Sequence, residues 1–292
     1  IIPVEGVEFS QRALTPLSED KFLKLFQQGG DLGLLLRLTA NELRSDQQGS
    51  DRILRNRPRR GVEYEEFRRR VLHLTALYQA HDLYVEQIVV QQAITLPTQN
   101  AEHAAVVVDA FEKGYRWAEE GATGALTRKV VGRVVISNYD LLSLTSEERK
   151  QLYLYTNTLR DNEIFIDVRP DHPGGDYPYR GTVQLRAFLG VLAFLARGIV
   201  EEVEYHVEQD ARTGAVQINP VNTMEIMEGT SRPSESAFSG SYEGKTYSIL
   251  NGDSPAAIWN LEAFRIINQL YELSVDPSDF GKRVSPAITI AK

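Results

Sequence analysis

Thr182 to Gly198, TVQLRAFLGVLAFLARG, decides how the chain is read. Val183, Leu185, Phe188, Leu189, Val191, Leu192, Phe194 and Leu195 are apolar, and only Gln184, Arg186 and Arg197 interrupt them with strong polarity. A surface helix shows one apolar stripe, whereas this run is apolar on nearly every side, so it is expected to form a central helix over 182–198 buried on several faces. Gly190 in its middle costs about 1 kcal/mol of helix propensity against alanine, which fits a place where another backbone passes close. The stretch is too short, and too charged at Arg186 and Arg197, for a bilayer span of about 20 apolar residues.

Before this helix, Ser18 is placed to cap a helix running to about Gln27, and Asp31 to cap a second from Leu32 to Leu43. A polar, arginine-rich connection, 45–61, leads to a third helix in which Tyr64, Phe67, Val71, Leu74 and Tyr78 recur at spacings of three and four. Residues 1–82 therefore read as a mainly helical unit, and 83–292 as an α+β domain, with one continuous body as the other arrangement. In the second part Tyr84 to Thr95 and Ala125 to Ser137 are rich in β-branched residues and read as strands, with a short strand at 115–119 and a turn at 121–124. The helix between them, 100–113, is expected to turn Ala104, Val107, Val108 and Phe111 inward. Thr145 and Glu148 form a capping-box pattern, and Ile164, Ile166 and Val168 alternate along a strand.

Beyond the central helix, 202–208 and 215–219 read as a hairpin that sets Val203, Tyr205 and Val207 on one face. A long loop with Met224, Ile226, Met227 and Phe238 follows; these side chains either fold back on the core or meet a partner. Gly244 tips a second hairpin, and a last helix carries Ile258, Leu261, Phe264, Ile267 and Leu270, with a closing edge strand at 287–290. Strands paired as antiparallel or mixed hairpins around isolated helices give the fold class α+β, with the 182–198 helix packed at the centre.

The 292 residues carry a net charge of -8, which argues against nucleic acid as a partner. With no cysteine there is no disulfide, thiolate nucleophile or cysteine-based metal site. No G-x-S-x-G, P-loop, G-x-G-x-x-G or H-E-x-x-H occurs, so the common signatures of hydrolysis, nucleotide binding and zinc proteolysis are missing. No catalytic residue, metal or cofactor is expected on these grounds.

Three blocks, FSQRALTPLSEDKFLKLFQQGGDLGLLLRLTANELR with EYEEFRRRVLHLTALYQAHDL, LRAFLGVLAFLARG, and WNLEAFRIINQLYELSVDPSDF, resemble a family of uncharacterised Gram-negative envelope proteins predicted to be lipoproteins. The resemblance runs over nearly all of the chain. It implies a periplasmic location, held at the outer or inner membrane by a lipid anchor, with the cytoplasm as the alternative. The sequence opens IIPVEGVEF without methionine and contains no lipobox or cysteine, so the expected anchor belongs to sequence outside this chain. Such proteins have no assigned activity, and other envelope proteins are the partners implied.

Two residue sets bear on binding. Arg52, Arg55, Arg57, Arg59 and Arg60, with Arg68, Arg69 and Arg70 on the third helix, can grip phosphate groups by bidentate hydrogen bonds. Glu63, Glu65 and Glu66 lie among them, so a solvated face is the competing explanation. Asp171, His172 and Asp176, on a proline- and glycine-rich loop, offer oxygen and nitrogen donors for a ligand or divalent ion, although a turn accounts for the same composition. His73, His81 and His103 read as structural. The expected function is a non-enzymatic envelope module for structure or protein interaction. The alternative is a hydrolase or small-ligand enzyme with its pocket between the central helix and the 169–181 loop.

Overall fold

Ser18 and Asp31 start the first two helices as their positions predict. Ser18 Oγ accepts from the Lys21 N–H at the head of α1 (Glu19–Gln27), and Asp31 Oδ1 accepts from the Leu34 N–H at 2.8 Å at the head of α2 (Leu32–Thr39). The computed structural model describes residues 11–46, 52–95, 103–117 and 125–275. The turn expected at 121–124 and the edge strand at 287–290 lie outside the described residues.

The second helix ends at Thr39, four residues short of Leu43, because Ala40–Ser45 is a strand, β1. It lies between β2 (Ile53–Arg55), inside what reads as an irregular connection, and β7 (Tyr179–Leu185). Both ladders are antiparallel and engage the N–H and C=O groups of β1, so sheet pairing overrides the leucine period. The full sheet runs β2-β1-β7-β6-β5-β3, with β3 at Tyr84–Thr95, β5 at Ala125–Ser137 and β6 at Glu163–Val168; a two-residue strand β4 (Arg116–Trp117) also pairs with β5. It thus combines strands from both sides of residue 82. All pairs are antiparallel except β5 with β6, which a crossover through an 11-residue helix (Ser146–Thr156) connects. That helix opens with the expected capping box of Thr145 and Glu148.

Helices cover one face of the sheet. The α3 helix (Val62–Gln79) presents Phe67, Val71 and Leu74, α2 presents Leu34, Leu35 and Leu38, and both meet Val134, Ile164, Ile166 and Val183 of the sheet in the main core. Between β3 and β5 lies α4 (His103–Glu112), and α5 is the Ser146–Thr156 helix on the sheet's other face, where Leu152 packs on Ile88, Val135 and Phe165. The architecture is α+β. Gly181 marks the tightest strand contact, since a Cβ there would lie 2.0 Å from Arg44 O on β1.

The central helix departs from expectation. Residues 182–185 belong to β7, paired with β1 on one side and β6 on the other, and the helix α6 begins only at Phe188 (Phe188–Val200). Nor is it enclosed. Phe188, Val191 and Phe194 are buried, while Leu192 and Ile199 are 37% and 53% exposed. The reason is division of labour: the two ladders take the first apolar residues, and the remaining helix packs one stripe on the core. Gly190 meets no foreign backbone, and its missing Cβ leaves space against the Arg186 stem.

The hairpin expected over 202–219 does not form; no strand occurs between 201 and 226. The segment is a strap laid over α2 and α3, tied by side chains. Tyr205 OH donates to Gly61 O, the Gln217 N–H donates to Gln79 Oε1, and Asn219 Nδ2 donates to Val207 O. Val203 points outward at 64% exposure, whereas Glu202 and Glu204 are buried. A small second sheet of order β8-β10-β9 follows, with β8 at Met227–Gly229, β9 at Ser236–Tyr242 and β10 at Lys245–Leu250. Gly244, at φ +76, sits at the β9–β10 turn as expected. Met224 packs against the core, and Phe238 stacks on Phe264 at 4.5 Å between ring centres. The last helix, α7 (Pro255–Val275), buries Leu270 and packs Ile267 on the core as expected, adds Trp259, Ala263 and Ile266 to its inner face, and leaves Ile258 exposed.

Candidate functional site

The 169–181 loop is anchored from α3. Arg70 Nη1 donates to Tyr177 O and Pro178 O at 3.1 and 2.9 Å, its guanidinium 3.5 Å from the centre of the Tyr177 ring. His73 Nε2 lies 3.0 Å from Gly174 O, and its Nδ1 lies 3.4 Å from Thr213 Oγ1, which joins the loop to the strap. Asp171 and His172 stay side by side at 3.9 Å, Asp171 exposed and His172 against the Tyr139 ring at 5.2 Å. Asp176 is exposed and joins neither, and among the described residues no three metal-ligating side chains converge.

Burial holds the His73 pKa below its ordinary 6.5, so the folded state keeps the ring neutral where the unfolded chain would protonate it. The unfolded state then binds more protons, and this residue's contribution to stability falls as pH drops from 6.5 through the lower folded value. The midpoint of urea unfolding is expected to fall further between pH 7.5 and 5 in the wild type than in His73→Gln. Equal falls would contradict this account.

Beside the loop, but on the α5 side of the sheet and not against α6, lies a groove of about 760 Å³ lined by Glu147, Tyr155, Phe165, Asp167, Arg169 and Arg180. Several of its polar groups are engaged, and Glu147 accepts from Gln151 Nε2. Asp167 Oδ2 accepts from Tyr139 OH at 2.6 Å and from Arg169 Nε at 2.9 Å. Asp46 Oδ2 accepts from Tyr155 OH at 3.0 Å and faces Arg180 at 3.6 Å. Burial first, and then Asp46, push the Tyr155 hydroxyl up to about 12, so it remains protonated at neutral pH. Among the described residues, the Tyr155 hydroxyl of this groove donates to a carboxylate that also faces Arg180.

The eight arginines do not form one patch. Arg55 pairs with Glu63 at 2.9 Å, Arg69 with Glu66 at 2.9 Å and Glu65 at 3.5 Å, and Arg70 holds the loop. Arg59 lies 3.8 Å from the buried Glu202, and Arg52, Arg57 and Arg60 make no ion pair among the described residues. Arg68 turns into the core, only 1% exposed. The chain matches no family model, no curated protein and no solved structure.

Arg68 belongs to a buried polar cluster that was not foreseen. Glu204 Oε2 faces Arg68 Nη1 at 3.1 Å and Arg37 Nη2 at 3.3 Å and accepts from Tyr64 OH at 2.9 Å, while Glu204 Oε1 accepts from the Thr223 N–H at 2.6 Å. Arg37 also donates to Pro220 O and Val221 O, both at 2.9 Å. Burial, then the charge of Arg68, pull the Arg37 pKa down to about 10 against the opposing pull of Glu204. The cluster sews the strap to α2 and α3. Its groups are consumed by each other, which marks it as structural.

The third feature is an arm. Only the last three residues of β5 pair with β6, so its earlier part extends from the sheet with β3 and β4 as the strands paired to it among the described residues. The arm has its own small core of Ala110, Tyr115 and Leu126. Against expectation Val108 and Phe111 face outward, because Ala110 and Val107 take the inner positions of α4. Val108 is 57% exposed, Trp117 50% and Val131 59%, and Phe111 meets Trp117 edge-on at 6.2 Å.

Proposed function

We propose that the chain is a non-enzymatic interaction module of the cell envelope, the globular part of a periplasm-facing lipoprotein, that binds another envelope protein through the β3–β5 arm. The observation that carries this reading is the apolar set on the arm: Val108, Phe111 and Trp117 gathered near one end of an extension from the sheet. Single exposed apolar residues are ordinary, but a cluster with an aromatic pair costs solubility unless a partner covers it. The envelope location draws on the resemblance of the three sequence blocks. The groove beside α5 is where the alternative, a small-ligand enzyme or hydrolase, would have its pocket, and the engagement of Asp167, Arg169 and Tyr155 in bonds of their own makes the interaction reading the better supported.

The test places a photo-crosslinking residue at Val108 in cells, with the exposed Leu142 as the control position. A discrete adduct with an envelope protein from Val108 and none from Leu142 is the expected result. The same pattern from both positions overturns the arm as the contact. Feeding a fatty-acid probe to cells that make the full-length precursor tests the anchor; an unlabelled protein in the cytosolic fraction would remove it.

A further inference from the structure

Buried cations are normally paired, because an unpaired charge in a low-dielectric interior costs several kcal/mol. Arg37 and Arg68 obey this by sharing Glu204. Arg186 does not. Its side chain is buried, donating to Leu38 O at 3.2 Å and Asn56 O at 2.8 Å, with the guanidinium 4.1 Å over the Phe194 ring. No carboxylate forms an ion pair with it among the described residues, and the one whose charge reaches it, Glu204, already serves two arginines.

The surroundings add positive charge. Arg186 contacts the residue before Arg57 and the residue one helical turn before Arg197, and the charges of both arginines act on it. Arg57 and Arg197 are half-buried and form no ion pair or side-chain hydrogen bond among the described residues. After burial, theirs are the charges that most lower the Arg186 pKa, to about 9, so it stays charged at neutral pH. Glu202, close by, faces Arg59 at 3.8 Å.

We propose that Arg57, Arg186 and Arg197 form a binding site for a phosphate-class oxyanion, a free phosphate or the phosphomonoester headgroup of a lipid, where Arg186 links the 56–60 turn to α6. Three neighbouring guanidinium charges with no carboxylate of their own suit a tetrahedral dianion, which accepts several charge-assisted bonds and offsets more than one positive charge; a carboxylate does neither as well. Arg57 comes from the set that the sequence suggests for anions, while Arg186 and Arg197 come from the stretch it assigns to the core. The site is independent of the arm.

The test uses two probes on the purified chain: inorganic phosphate in a calorimetric titration at constant ionic strength, and flotation with phosphatidylcholine vesicles with or without phosphatidic acid. Wild type and the control Arg69→Gln are expected to bind at least one probe saturably. Arg57→Gln/Arg197→Gln, altered at half-buried positions and checked for an unchanged unfolding midpoint, is expected to bind it at least tenfold more weakly. Arg57→Gln alone gives a smaller loss in the same direction and serves if the double variant does not fold. Loss of phosphate binding identifies a free anion, and loss confined to vesicles with phosphatidic acid identifies a headgroup. The proposal is overturned if the wild type binds neither probe, or if the arginine variants bind as the wild type does.

Discussion

Glu204→Gln lowers the free energy of unfolding by about 3–5 kcal/mol, measured by urea denaturation at neutral pH, because it removes the negative charge shared by two buried guanidiniums. Arg37 and Arg68 are 3% and 1% exposed, so neither can turn to water without opening the fold. The amide keeps the shape of the side chain and can still accept from the Thr223 N–H, so a large loss reports the charge and not a cavity. Glu202→Gln is the comparison: its partner Arg59 is 73% exposed at 3.8 Å, and a screened pair of this kind is worth about 1 kcal/mol or less. The strap should also loosen, so cleavage by a nonspecific protease between 205 and 219 speeds up in Glu204→Gln before global unfolding does. A stability loss equal to that of Glu202→Gln would show that the cluster is not what holds the strap.

The strap also shows where sequence reading stops. Val203, Tyr205 and Val207 alternate as in a strand whose apolar face turns inward, yet it is the alternate residues Glu202 and Glu204 that are buried, beside Val207. The rule that apolar residues go inside yields here to two arginines already committed to the interior, which need a carboxylate. A trace of this was present: Arg68 lies four residues after Tyr64 and three before Val71, on the apolar stripe of α3, and Arg37 interrupts LGLLLRLT. Local signals that need no partner were legible, as the caps at Ser18, Asp31 and Thr145 and the Phe67–Val71–Leu74 stripe show. The first four residues of the central run are ambiguous, because Val183 and Leu185 fit period two and with Phe188 and Leu189 also fit the helical spacing. Only the two flanking ladders, formed by residues about 20 and 140 positions away, resolve it. The same non-local cause hid the Arg186 site, whose parts lie on β2's flank, the end of β7 and α6.

Trp259→Ala is expected to cost about 3–5 kcal/mol, the range for emptying a buried aromatic site. Trp259 is 8% exposed, packs in the main core from α7, and donates from Nε1 to Thr223 O at 3.0 Å with Arg37 over its ring at 5.3 Å. It therefore touches the polar cluster, since Trp259 donates to Thr223 O while Glu204 accepts from the Thr223 N–H. Two residues with a shared partner do not act independently. Combining Trp259→Ala with Glu204→Gln should then cost less than the sum of the single losses by about 1 kcal/mol or more, since the first change already frees the strap that the second would release. Leu152→Ala, across the sheet in the α5 core, should add to either one within about 0.5 kcal/mol. Trp259→Phe keeps most of the apolar contact and loses only the hydrogen bond to Thr223, so it should recover more than half of the alanine loss. If Trp259 and Glu204 prove as additive as the Leu152 pairs, the strap is held by two separate contacts and the single polar clamp inferred from the geometry does not exist.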